Sequence, residues 1–213
     1  MPKSKIKLQY DVVLPRVVNR RESKLFIIAT EGEKREPDYF KKFGSTNIKM
    51  IILEGTGGLS APTQLIEKLD EYRKDSNKDF GEGDECWIVF DTDHHNEADM
   101  EDILKASKTG GFSVAVSNPC FEYWLFLHRF DAHELPPTIC DEEVLQRPHR
   151  MKNVLKETLA GYDFKKALYR EFRENVARAV KSAKNQRSVS TKPLPDCPGT
   201  DVWRLVEKLP INF

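Results

Sequence analysis

The sequence predicts an α/β protein with a mainly parallel, four-stranded sheet flanked by helices and followed by a helical C-terminal extension. Between residues 25 and 128, short apolar runs typical of buried strands alternate with segments of helical periodicity. Strands that alternate with helices form βαβ units, in which neighbouring strands are parallel. After Asp141 the pattern is helical, with no further apolar run typical of a strand. At 213 residues the chain can bury one good core rather than two independent α/β domains.

The elements of this sheet follow one another in a regular order. The predicted strands are Leu25–Ile28, Ile48–Leu53, Cys86–Phe90 and Phe112–Val116. The intervening helices are predicted from about Pro37, over residues 61–74 with Ser60 as N-cap, and over residues 97–107. A fourth helix is expected to begin at Pro119, with Asn118 as its N-cap.

We divide the chain into three predicted parts. Residues 1–24 form a basic N-terminal arm, residues 25–140 form the α/β domain, and residues 141–213 form a helical extension packed on that domain. Within the extension, helices are expected over residues 151–159, 164–184 and 201–209.

The formal net charge of zero conceals a strong segregation of charge along the chain. Residues 25–142 hold twice as many acidic as basic side chains, whereas residues 1–24 and 143–190 are strongly basic. This pattern suits a protein that holds a cation and a polyanion together, although a solvated acidic surface beside a solvated basic helix would give the same counts. No apolar run is long enough for a membrane span and the start has no signal-peptide character, so we expect a cytoplasmic protein that is not bound to a membrane.

Acidic side chains follow the predicted strands at the points where they end. Glu31 comes directly after the first strand, and Asp91 and Asp93 come directly after the third. Glu122 lies in the first turn of the helix after the fourth strand. Ligands bind such sheets outside the carboxyl ends of the strands, so we expect these carboxylates to converge. Residues i and i+2 of an extended segment point to one side, and carboxylate oxygens suit Mg²⁺ or Mn²⁺.

Each of these side chains also has a structural interpretation. Asp91 or Asp93 could cap the following helix, although capping requires only one of them. Glu31 could be a solvated loop residue, and Glu122 could be favoured by the helix dipole alone. Other polar residues nearby are interpreted as structural or solvated rather than functional, namely Glu33 and Glu36 as helix-dipole partners, His94 and His95 as loop residues, and Gly55–Gly58 as a flexible turn.

A basic stripe in the extension is the predicted nucleic-acid-binding surface. Its candidate residues are Lys165, Lys166, Arg170, Arg173 and Lys181. Several recur near helical spacing and could follow a phosphate backbone, while a solvated amphipathic helix is the alternative. The stripe does not distinguish DNA from RNA.

An EG dipeptide after the first strand and a DxD motif after a later strand resemble the Toprim domain of topoisomerases, primases and OLD-type nucleases. The runs LFIIATEGEKREPDYF, IVFDTD, SNPCFEYWLFLH and GTDVWRLVEKL, in this order, resemble the RloB-like family. That family is associated with restriction and phage-defence loci and is often accompanied by an ABC-type ATPase, RloA. One departure is Arg35, where we expect a small hydroxyl residue; we expect Arg35 not to touch the carboxylates.

The resemblance implies specific roles for the candidate residues. Glu31 corresponds to the catalytic glutamate, as general acid/base or metal ligand, and Asp91 and Asp93 correspond to the metal-binding pair. Glu122 is added as a catalytic residue from its position alone. We therefore expect a Mg²⁺- or Mn²⁺-dependent nuclease that cleaves DNA or RNA, with tRNA as one candidate substrate, in antiphage defence with an RloA-like ABC-type ATPase. The alternative is a non-catalytic subunit that binds nucleic acid or the ATPase.

Overall fold

The computed structural model describes residues 24–43, 48–54, 62–75, 83–145, 147–159 and 168–209. The predicted arm, residues 1–23 of the sequence, lies outside these ranges, as do Ser60 and Gly55–Gly58. Within the described residues, no helix has the length and apolar character needed to cross a membrane.

The described strands form one five-stranded sheet. They are β1 (Lys24–Thr30), β2 (Ile48–Leu53), β3 (Glu85–Asp91), β4 (Ser113–Asn118) and β5 (Gly199–Thr200). Their order is β2-β1-β3-β4-β5, with the first four parallel and β5 antiparallel to β4. The predicted mainly parallel sheet flanked by helices is confirmed and is compatible with a Toprim-like α/β fold. The prediction of four strands, with none after Asp141, is wrong because β5 is too short to give an apolar run.

Helices follow each of the first four strands, and further helices make up most of the described C-terminal part of the chain. The described α-helices are α1 (Arg35–Phe40), α2 (Pro62–Asp75), α3 (Glu97–Gly110), α4 (Glu122–Phe126), α5 (Pro137–Cys140), α6 (Glu142–Leu145), α7 (Pro148–Thr158), α8 (Leu168–Ser188) and α9 (Val202–Val206). Single 3₁₀ turns occupy Lys41–Phe43 and Ala132–Glu134.

The fourth predicted helix begins later than expected. Asn118 is the last residue of β4, the Asn118–Pro119 peptide bond is cis, and α4 starts only at Glu122. The side chain of Asn118 does not cap this helix: its Oδ1 accepts a hydrogen bond from Thr92 Oγ1 at 2.9 Å. The prediction of Asn118 as an N-cap is therefore wrong, because Asn118 still belongs to β4 and its side chain is bonded to Thr92 and Pro195 instead.

The sheet is buried on both faces, which explains its continuous apolar strands. Alternate residues of β1, such as Phe26 and Ile28, pack towards one core shared with α1, α4, α7, α8 and α9. The intervening residues, such as Leu25 and Ile27, pack towards a second core shared with α2 and α3. The helices of the C-terminal segment thus share a hydrophobic core with the sheet, and this packing fixes α7 near the carboxyl ends of the strands.

Candidate functional site

The carboxyl end of β3 positions the two aspartates. Asp91 is the last residue of the strand, where it pairs with Ser117 of β4, and Asp93 follows two residues later. The side chain of Asp93 is only 2% exposed. Helix α3 has its own cap, because Asn96 Oδ1 accepts a hydrogen bond from Asp99 N at 3.0 Å. Capping therefore does not account for either buried aspartate.

Glu31 reaches the same place from the neighbouring strand. Its backbone N–H donates to Val89 O at 3.0 Å, which continues the ladder between β1 and β3. Its Oε2 accepts a hydrogen bond from Asp91 N at 3.0 Å, and its Oε1 lies 3.2 Å from His95 Nε2. The structure thus brings Glu31 and the aspartate pair together, as the sequence predicts.

Glu36 adds a fourth carboxylate. It lies in the first turn of α1 but is buried, and a Cβ at Gly32 would overlap its carboxylate. The glycine that follows Glu31 therefore makes room for Glu36. Burial raises the pKa of Glu36, and the charge of Glu31 raises it further. Glu36 is consequently more than the helix-dipole partner expected from the sequence.

Lys152 of α7 supplies a positive charge to this cluster. Its Nζ lies 2.9 Å from Asp93 Oδ2 and 3.9 Å from Asp91 Oδ2. Burial lowers the pKa of Lys152, but the two aspartates outweigh that effect and raise it above its ordinary value. An ammonium group inside an acidic pocket partly neutralises it and allows the carboxylates to be buried together.

The electrostatics of the pocket are dominated by burial of like charges. Burial raises the pKa of Asp91 well above its ordinary value, and Glu36, Asp93 and Glu31 add to the rise while Lys152 opposes it. The hydrogen bond to Glu31 raises the pKa of His95, against the effect of burial. We call Glu31, Glu36, Asp91 and Asp93, with His95 and Lys152, the acidic pocket.

The donor chemistry of the acidic pocket fits a hard divalent cation. Asp91 Oδ1 and Asp93 Oδ1 are buried and have no hydrogen-bond partner, so each has a lone pair available for a ligand. Within the described ranges, however, no three His, Cys, Asp or Glu side chains are already arranged as a metal site. Lys152 contacts the Oδ2 atoms instead, and a metal at the aspartates would have to share the pocket with this ammonium or displace it.

A family model described as RloB-like protein matches residues 26–209, which is most of the chain. The chain belongs to the RloB-like protein family. No curated protein and no solved structure matches it.

In this RloB-like protein, Glu122 lies apart from the hydrogen bonds of the acidic pocket. Its carboxylate is 1% exposed and forms an ion pair with Arg35 Nη1. The expectation that Arg35 does not touch the carboxylates is therefore wrong, because Arg35 neutralises one of the four candidates. A catalytic role for Glu122 stays a prediction, whereas its structural role as the buried partner of Arg35 is directly visible.

The predicted nucleic-acid-binding stripe is only partly described. Lys165 and Lys166 lie outside the described residues, and Arg170 and Arg173 fall in α8 at positions whose side chains are not described. Lys181 is exposed on α8. Nucleic-acid binding by this stripe stays a prediction.

Sequence reasoning missed three members of the pocket. His95, interpreted as a solvated loop residue, has a side chain only 7% exposed against Glu31, while His94 is indeed exposed and lies 3.5 Å from Asp93 Oδ2. Glu36 was assigned only to the helix dipole, and Lys152 carried no local motif. The basic character of residues 143–190 was the only signal for Lys152, and it does not single out one residue.

Proposed function

We propose that this protein is a Mg²⁺- or Mn²⁺-dependent nuclease of DNA or RNA. The observation that carries the proposal is the pair of buried aspartates at the end of β3, each with one carboxylate oxygen lacking a partner. Buried carboxylate oxygens without a hydrogen-bond partner are costly, and such costs are common at functional sites. The RloB-like family membership and the Toprim-like arrangement of Glu31 beside the aspartates support the same chemistry.

In this proposal each residue has a separate task. Asp91 and Asp93 would hold the metal, which when bound would activate water and stabilise the charge of an attacked phosphodiester. Glu31 would ligate or exchange a proton with the reacting groups, and His95 would hold the Glu31 carboxylate in place through Oε1. Lys152 would balance the negative charge of the pocket and remain available to the substrate phosphate.

The proposed biological role is that of an effector in antiphage defence, working with an RloA-like ABC-type ATPase in the cytoplasm. This part of the proposal rests on the association of the RloB-like family with defence loci. It implies that nuclease activity can depend on the partner, so the assay is designed with and without the ATPase.

The test is cleavage of mixed DNA and RNA substrates, including tRNA, in Mg²⁺ or Mn²⁺. The Asp93→Asn and Glu31→Gln variants keep the shape of each side chain and should lose activity by about 10²-fold or more, because each removes a metal ligand or proton acceptor. Asp102→Asn, on the exposed surface of α3, is the matched control and should be fully active. Equal cleavage by wild type and Asp93→Asn would exclude this site as the catalytic centre.

The second candidate is a non-catalytic subunit, and Lys152 is the observation that favours it. A pocket already neutralised by an ammonium group can be a structural ion-pair cluster rather than a metal site. This alternative predicts no measurable affinity for Mn²⁺ by calorimetry and no cleavage with or without the ATPase, together with retained binding to nucleic acid or to the ATPase.

A further inference from the structure

Helix α7 presents two lysines at the edge of the acidic pocket. Met151 and Leu155 are buried in the core. Lys152 and Lys156 each come directly after one of them, so the two lysines are also four residues apart. Residues four apart lie on one face of a helix, about 6 Å apart along its axis. Because Lys152 contacts Asp93, Lys156 must lie about one turn further along the same face.

Arg35 of α1 lies near this helix, so that its charge acts on Lys156. Its guanidinium is held by Glu122 of α4, and α7 packs against α4. Partial burial lowers the pKa of Lys156 first, the positive charges of Arg35 and Lys152 lower it further, and Cys120 and Asp93 oppose the shift. Three cations therefore converge beside the pocket.

The three cations differ in how they are compensated. Lys152 is neutralised by the aspartates and Arg35 by Glu122. Lys156 is exposed, and no ion pair joins it to an acidic side chain in the described part of the chain. Other exposed lysines with described ion pairs, such as Lys105 on α3, sit among carboxylates. A cation placed beside two others, without an acid of its own, is the arrangement expected where an anion binds.

We propose that Lys156, assisted by Arg35, forms a subsite for a backbone phosphate of the nucleic acid, next to the phosphate at the acidic pocket. This inference rests on the proposed function. It adds the position of the substrate strand, which would run along α7 with one flanking phosphate at Lys156. The subsite includes none of the residues of the predicted stripe. It reads no bases, so it binds DNA and RNA strands alike.

The test measures binding apart from cleavage. Labelled single-stranded and duplex DNA and RNA oligonucleotides are titrated with the full chain in EDTA, and fluorescence anisotropy is followed over a series of salt concentrations. Lys156→Gln should weaken binding roughly 3- to 10-fold at low salt and reduce the slope of log K against log salt by about one, because one phosphate contact is lost. Lys156→Arg should retain both the affinity and the slope.

Two controls separate the subsite from general charge effects. Lys105→Gln removes one exposed positive charge on α3, far from any candidate binding residue in the sequence, and should leave the affinity and slope unchanged. Lys156 is exposed, so Lys156→Gln should keep the unfolding midpoint of the wild type. Unchanged binding by Lys156→Gln, a loss equal to that of Lys105→Gln, or no binding by the wild type at low salt would each overturn the subsite.

Measuring cleavage and binding with the same variants distinguishes failure of the phosphate subsite from failure of the nuclease proposal. Metal-dependent cleavage that is lost in Asp93→Asn, combined with normal binding by Lys156→Gln, refutes the subsite alone. Weak binding by Lys156→Gln, combined with no cleavage by any variant or by the wild type with its ATPase, supports a phosphate subsite on a non-catalytic protein.

Discussion

The ion pair between Lys152 and the aspartates gives the sharpest prediction on stability. Lys152→Met keeps most of the side-chain length and removes the ammonium, which lies 2.9 Å from Asp93 Oδ2. At this distance the gross attraction is roughly 6 kcal/mol for an effective dielectric constant of about 20. The cost of desolvating both ions offsets much of it, but removing one partner leaves the other charge buried.

The loss of stability in Lys152→Met should be smaller than for a fully buried ion pair. Asp93 is almost completely buried, whereas the Lys152 side chain is 22% exposed, so water already reaches one side of the pair. We therefore expect Lys152→Met to lower the free energy of unfolding by about 2–3 kcal/mol. For a chain of this size, the unfolding midpoint should fall by roughly 5–10 °C.

Divalent metal should reverse this loss. Without the competing ammonium, Mn²⁺ can bind the aspartates directly, and a ligand at 100 times its Kd stabilises the folded state by about 2.7 kcal/mol. Urea unfolding is measured for wild type and variant in EDTA and in Mn²⁺, with Lys105→Met as a surface control that should unfold like the wild type. If Lys152→Met matches the wild type in EDTA, or if Mn²⁺ stabilises it no more than it stabilises the wild type, the reasoning is refuted.

Three further predictions concern other buried charges. Asp91→Asn should raise the unfolding midpoint at pH 7.5 by roughly 2–4 °C. Burial and Glu36 raise the pKa of Asp91, so ionising this side chain destabilises the fold as the pH rises above the ordinary aspartate pKa of 3.8. A lower midpoint in a thermal scan would contradict this. Arg35→Met should lower the free energy of unfolding by about 2–3 kcal/mol, because it leaves Glu122 charged and buried. In a double-mutant cycle, adding Glu122→Gln should recover at least half of this loss, and additive losses would argue against coupling of the two residues. Burial lowers the pKa of His128 from 6.5 to about 3, so the folded state binds fewer protons than the unfolded state between these values. Stability should therefore fall by up to about 1.4 kcal/mol per pH unit on acidification from pH 6.5 to 5, with a shallower slope in His128→Gln measured by urea titration.

The sequence was most informative where a single physical rule decides the outcome. β2 is observed over the predicted residues, and β1 and β3 extend the predicted runs by a few residues, because short apolar runs that are rich in β-branched or aromatic residues and alternate with helical segments favour buried strands. The convergence of Glu31 with Asp91 followed from the parallel arrangement, since the carboxyl ends of parallel strands lie at one edge of the sheet.

The remaining parts of the site depend on packing between distant segments. Lys152 lies 59 residues from Asp93, and the only relation between them is the docking of α7 on the shared core. His95 and Glu36 have ordinary loop and first-turn positions in the sequence, and only their burial beside Glu31 reveals them. Likewise, β5 has two residues and no periodicity that a sequence pattern could detect.

The short strand β5 has a consequence for the design of shortened proteins. It occupies the outer side of β4, where Asp201 N donates to Val116 O at 2.7 Å and the hydroxyl groups of Ser117 and Thr200 lie 3.0 Å apart. A truncation before Gly199 would leave the backbone of β4 as an open template for another chain to pair with. A shortened protein made of the strands and pocket residues alone should therefore self-associate, whereas one that retains residues up to 209 keeps that side of the sheet covered.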